Sequence, residues 1–252
     1  NMNKRTFITT ILFGAATLGA SAAGLWHDLS YKVRLGYNLG GTAPVGMPAT
    51  IRGLDKFTPK MTFTIGMDAF RELNGPWGVM VGFHLEKKGM ETDAKVKNYS
   101  MEMKKDGEPL KGVFTGNVVT DVSLSMLTVP VQATCDVSRN VRLKFGPYLS
   151  YISSADFKGH AYDGYLREDN PIGQKVELGH DVGERGDYDF SEDLRKWQLG
   201  LDVGADWYFS NRFGAYAGLT WGLTGIFKSS FNTIEQTLFP IFGTIGITYN
   251  LK

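Results

Sequence analysis

From residue 31 onward, apolar and polar positions alternate one by one over several stretches of the chain. Tyr31, Val33, Leu35, Tyr37 and Leu39 alternate with Lys32, Arg34, Gly36 and Asn38. A period of two means an extended strand, because successive side chains point to opposite faces. The same pattern returns at Met61–Ala69, Trp77–Glu86, Leu127–Val137, Val141–Tyr151, Trp197–Phe209, Phe213–Thr224 and Phe239–Leu251. Eight strands are predicted. The turns after the second, fourth and sixth are short: Asn74-Gly75-Pro76, Ser138-Arg139-Asn140 and Ser210-Asn211-Arg212. Asn and Gly accept the positive φ that tight hairpins need. The other connections, Gly40–Lys60, Lys87–Asp121, Ser154–Arg195 and Ile226–Thr237, are predicted to be long loops. Apolar residues around Val122–Met126 fall out of phase with the strand below them. A bulge or a late strand start is expected there.

One face of each strand is apolar and the other alternates glycine with polar or charged groups. Roughly 45 apolar side chains, many of them rings, cannot fit inside a ring of eight strands, whose interior holds about a dozen side chains. The apolar face therefore points outward, and lipid must cover it. The glycine-rich face lines the interior and leaves room for Tyr148, Tyr208, Tyr216 and the charges. Strands of this length match the ~9–11 residues that cross a bilayer at a tilt, and a closed barrel leaves no unpaired edge in lipid. Aromatics sort into two belts, as membrane interfaces favour. Tyr31, Trp77, Trp207, Phe213 and Tyr249 lie at the short-turn end. Tyr37, Phe63, Phe83, Tyr151, Trp197, Trp221 and Phe239 lie at the other. The expected fold is an all-β, eight-stranded antiparallel transmembrane β-barrel with short periplasmic turns and long extracellular loops.

The first residues read as an export signal. Lys4 and Arg5 precede an apolar run from Thr6 to Gly19, and Ala20-Ser21-Ala22-Ala23 supplies the small residues of a cleavage site. Residues 1–23 are expected to be removed after Ala22 or Ala23, leaving 24–252 as the barrel domain. Without Lys4 and Arg5, 25 basic residues stand against 26 acidic ones, so the balance carries no nucleic-acid signal. A single cysteine, Cys135, excludes an internal disulfide. It points to lipid as filler.

The end of the chain, Thr244, Gly246, Tyr249 and Leu251, resembles the C-terminal signal read by the outer-membrane assembly machinery. The aromatic that usually ends that signal is Leu251 here, and Lys252 follows. Leu127-Thr128-Val129-Pro130, Gly146-Pro147-Tyr148-Leu149, Gly200-Leu201-Asp202-Val203-Gly204 and Tyr216 through Gly222-Leu223-Thr224 resemble the PorT-like, or porin-family, outer-membrane barrels of Bacteroidota. The resemblance spans the mature chain. It implies an outer-membrane location and, through PorT, a link to protein secretion. It assigns no functional residue.

Candidate chemistry is sparse. Arg34 is expected near Asp68, and Arg142 and Lys144 are expected to face Asp206 and Asp202, forming a paired network that fills the lumen. Pro130 and Pro147 cannot donate to a ladder, and a bulge or kink is expected at them. The connection carrying Asp163, Glu168, Asp169, Glu177, Asp181, Glu184, Asp187, Asp189, Glu192 and Asp193 lacks the spacing of a calcium loop. His160 and His180 lack a third zinc ligand at suitable spacing. Ser153, Ser154, His160 and Asp163 form a nucleophile–base set on paper only. No catalytic, cofactor-binding or metal residue is assigned. The expectation is a non-enzymatic structural or binding anchor, or an accessory subunit of a membrane or secretion complex. Its partners would be outer-membrane lipid, the assembly machinery through the last strand, and a protein at the extracellular loops or periplasmic rim. Alternatives are a narrow channel for ions or small solutes, a lipid-modifying barrel enzyme and a soluble periplasmic carrier.

Overall fold

A computed structural model describes residues 29–44, 46, 48–60, 62–105, 107–231, 233–234 and 236–251. The expected export signal lies outside them. Eleven strands are present among the described residues: β1 (Ser30–Pro44), β2 (Ile51–Pro59), β3 (Phe63–Glu72), β4 (Trp77–Lys105), β5 (Glu108–Ser138), β6 (Val141–Glu168), β7 (Lys175–Leu178), β8 (Gly186–Asp189), β9 (Trp197–Tyr208), β10 (Phe213–Gly222) and β11 (Leu238–Asn250). β1 pairs with β3 on one side and with β11 on the other. The antiparallel ladder continues from β3 through β4, β5, β6, β9 and β10 back to β11. Eight strands thus close a ring, and β2, β7 and β8 stand outside it.

The period of two sorts the residues as expected. Leu35, Ile65, Phe83, Phe145, Leu199 and Ile245 face outward and are about half exposed. On neighbouring positions Lys32, Arg34, Asp68, His84, Lys144 and Asp206 face inward and are buried. Glycine makes the room: a Cβ on Gly200 would stand 2.5 Å from the Tyr148 ring, and one on Gly36 would collide with the Tyr216 hydroxyl. The rings form both belts, with cross-strand contacts between Phe213 and Tyr249 (centroids 5.0 Å apart) at one end and Tyr151 and Trp197 (5.1 Å) at the other. Gly75 takes φ +66° at the turn into β4. Cys135 is free and half-buried.

Three of the predicted loops are largely strand. The ladder between β4 and β5 runs on from Lys87↔Ser125 to Lys105↔Glu108, with one slip between Val96 and Tyr99. β6 continues to Glu168 and is joined by β7 and β8. Within Gly40–Lys60, β2 pairs with β4 from Ile51↔Val96 to Pro59↔Met90. The physical reason is that the inner face changes chemistry while the backbone does not. Inward positions read Met80, His84, Glu86 and Lys88 along β4, then Met90 and Val96; along β5 they read Thr134, Gln132 and Thr128, then Met126, Leu124 and Val122. Above the membrane the apolar side turns inward, so the alternation reverses sign. The out-of-phase segment at Val122–Met126 is this reversal. β5 does not start late; the one irregularity there is an extra residue on β6, Ser153, between Ser125↔Ser154 and Met126↔Ile152.

No bulge forms at Pro130 or Pro147, though the ladder is interrupted beside each. Pairing lapses beside Pro147 on its β5 side and beside Pro130 on its β4 side, yet the register is the same before and after each gap. One missing donor removes one ladder bond and requires no inserted residue.

At the long-loop end, β1 and β3 part after Tyr37↔Phe63. Beyond that level β1 pairs with β11 alone and β2 with β4 alone. A slit therefore opens in the wall between β1 and β2, just above the upper aromatic belt.

Candidate functional site: a filled lumen beneath an apolar cap

The lumen is built by charged side chains that the ring projects inward from five strands, joined by polar and aromatic groups from the other three. Asp206 on β9 pairs with Lys32 on β1 and, at 2.5 Å, with Lys144 on β6. Asp68 on β3 pairs with Arg34 and accepts its Nε–H at 2.8 Å; His84 Nε2 lies 2.8 Å from the other oxygen. Glu86 pairs with Lys88 at 3.0 Å and accepts from the Thr128 hydroxyl at 2.7 Å. Asn38 Oδ1 accepts from Thr64 and Thr244. The cations also lie over rings, Arg34 at 4.8 Å from the Tyr216 centroid and Lys88 at 5.5 Å from that of Phe242. Lys32, Arg34, Asp68, Lys144 and Asp206 are each no more than 5% exposed. The space left between Arg34, His84, Glu86, Lys144 and Asp202 is about 20 Å³, room for about one water.

The expected pair Arg34–Asp68 is therefore present, whereas Lys144, expected to face Asp202, pairs with Asp206. Arg142 differs. It lies opposite Asp206 in register, but its guanidinium turns to Asp136 (2.6 and 2.8 Å) and stacks 3.5 Å from the Phe70 ring centroid. A carboxylate six residues away across the tight turn is closer and offers both oxygens to the planar fork. Below this layer an open vestibule of about 800 Å³ is lined by Lys32, Glu72, Arg139, Arg142, Tyr208 and Arg212.

Above the lumen the inward row forms a second core, which the sequence reading missed. Met103, Phe114, Val122, Leu124, Phe157 and Leu166 are at most 2% exposed and pack in one cluster. The connection after β10 adds Phe227 against Phe157 (4.9 Å) and Phe231 against Phe227 (4.5 Å). β8 closes the top by pairing with β6 and, at Lys104↔Asp187, with β4. Between this core and the slit lies an apolar pocket of about 330 Å³. Alternation at Val122–Met126 was the one sequence signal that pointed to it.

The polar residues singled out in the outer connections are dispersed. Ser153 and His160 sit on the single strand β6, seven residues apart, about 23 Å at ~3.3 Å per residue. Ser153 donates to the Ser125 carbonyl (3.0 Å), and Asp163 meets His180 (3.2 Å) rather than His160. Burial lowers the pKa of His160, with Arg185 adding to the shift. The Tyr162 phenol donates to Asp93 at 2.7 Å. That bond, with burial and the carboxylate charge, pushes its pKa up to about 12. Several acidic residues sit in local pairs, Glu177 with Lys175 and Asp187 with Arg185. Among the described residues no three His, Cys, Asp or Glu side chains converge as a metal site.

The model of the outer membrane protein beta-barrel domain family matches residues 16–228. The chain belongs to that family. It is an outer-membrane barrel, and the outward apolar face is its lipid contact. By the rule for such barrels the short turns face the periplasm and the cap stands outside the cell. Similar solved structures include Ail, the attachment invasion locus protein of Yersinia pestis, in complex with the heparin analogue sucrose octasulfate (13% identity, 89% of this chain and 99% of that one, TM-score 0.40). They also include OprG from Pseudomonas aeruginosa (13%, 88% and 95%, 0.39) and Neisserial surface protein A (11%, 88% and 96%, 0.35). No curated protein sequence matches the chain.

Proposed function

We propose that this outer-membrane barrel is a non-enzymatic, non-conducting anchor that holds a rigid binding cap outside the cell. It would serve as an accessory subunit of a membrane or secretion complex, in keeping with its PorT-like segments. The observation that carries this reading is the lumen layer: five charged groups at most 5% exposed, with about 20 Å³ between their neighbours. A hydrated ion needs a continuous wet path, and here paired side chains occupy it. The same strands continue upward into a packed core, so the outer segments are a built surface. The last strand, ending at Tyr249 and Leu251, would be the part handed to the assembly machinery.

Two measurements test the reading. Purified protein in planar bilayers should show no conductance steps in high salt. Cross-linking in intact cells, followed by purification from the outer membrane, should recover a stoichiometric protein partner. Steady open-channel currents would overturn the non-conducting anchor in favour of a narrow channel for ions or small solutes.

A further inference from the structure

The slit and the pocket behind it call for an occupant. Above Asn38, β1 has no strand on its β2 side. One slit-side donor is met by a side chain instead: the Thr42 N–H points to the Met90 sulfur at 3.3 Å. Gly41 stands in the gap without a side chain. A Cβ there would collide with the Met90 sulfur and lie 3.4 Å from the Phe57 ring. At Gly41 the gap is therefore filled by the Met90 and Phe57 side chains, and behind them lies the pocket lined by Thr42, Met90, Val96, Met101, Phe157 and Leu238. Its 330 Å³ falls at the low end of the ~300–1,000 Å³ of ligand sites, and such sites are mostly apolar with a few polar groups. Here the Thr42 hydroxyl is buried and has no partner among the described residues.

The lips of the slit identify the source. Leu54 and Phe57 on β2 and Ile241 on β11 line the pocket and are also exposed outward, continuous with Leu39 and Ile245 on the lipid-facing surface. Exposed Arg52, Lys56, Lys95 and Lys97 surround β2, interspersed with exposed Asp55 and half-buried Glu91 and Asp93. An apolar chain with a phosphate-bearing head at the level of the upper belt matches both features. We propose that the slit between β1 and β2 admits one acyl chain of an outer-leaflet lipid into the pocket beneath the cap, with the headgroup held at the basic edge of β2. This goes beyond the anchoring role and does not depend on whether the cap has a protein partner.

The test uses the full protein in vesicles of phosphatidylethanolamine and phosphatidylglycerol doped with a phospholipid that carries a photoreactive diazirine near the acyl terminus. After irradiation, mapped adducts should fall on peptides containing Met90, Met101 and Phe157 as well as on the lipid belt at Leu35 and Leu199. Ala43→Trp at the exposed lip and Ala94→Trp inside the pocket should each reduce cap labelling at least tenfold. Belt labelling should be unchanged, which also reports that the variant barrel is folded. Adducts confined to the belt in the wild-type protein would overturn the proposal, as would cap labelling that neither variant reduces. Cap labelling obtained only from a short-chain diazirine acid added in water, with none from vesicle lipid, would also overturn it by moving the source to the aqueous side.

Discussion

Single residues in this barrel matter through what they leave unpaired. Asp206 is completely buried and holds two lysines from strands that are not neighbours, Lys32 and Lys144. Asp206→Ala leaves two buried cations facing each other, and removing one partner of a buried pair costs about 3–5 kcal/mol. The variant should unfold at clearly lower urea in detergent, read by loss of the compact gel band, without gaining conductance. Tyr162 gives a pH-dependent case in the cap. Its folded pKa, about 12, lies above the ~10 of a free tyrosine. Its hydrogen bond to Asp93 therefore contributes in full below pH ~10 and is lost as pH climbs through 12. A spectroscopic titration of tyrosinate should show a late component that Tyr162→Phe reduces by one group, since burial raises Tyr188 in the cap as well, and the variant's cap should show less added susceptibility to protease above pH ~10.

At the scale of strands, one rule of alternation serves two solvents. The lower half of β4 and β5 puts rings and branched chains outward into lipid; the upper half puts them inward, away from water. Phe114→Ala lies in the upper core, where such truncation costs about 3–5 kcal/mol. It should loosen the cap alone: amide exchange in residues 90–122 should accelerate, while exchange at Leu199–Val203 stays slow. The eight ring strands and the pair Arg34–Asp68 were legible from the sequence, because lipid enforces a strict period of two and tight turns fix the pairing. The upper halves were not. Their parity shifts at Ser153 and again near Asn98, where β4 and β5 slip between Val96 and Tyr99, and their outer face is rich in Lys and Glu. An alternation that reverses sign and skips a residue reads as no alternation. Arg142 was misassigned for a different reason: register shows which residue is opposite, not which way a long side chain turns.

At the scale of the molecule, membrane anchor and cap are one sheet. β4, β5 and β6 are 29, 31 and 28 residues long, and no loop separates the lipid-crossing part from the rest. About 9–11 residues of each serve the bilayer, leaving roughly 18 above it. At ~3.3 Å per residue and the tilt usual for such barrels, that amounts to a stand-off of roughly 40 Å. Surface sugars attached to lipid heads would crowd the sides of this mast but leave its tip clear. Without a hinge, a pull or push at the tip is delivered undamped to the barrel wall. Shortening β4 and β5 by matched pairs between Tyr99 and Phe114 should therefore shift the height at which a tip-directed antibody can still bind intact cells, in even steps set by the strand rise.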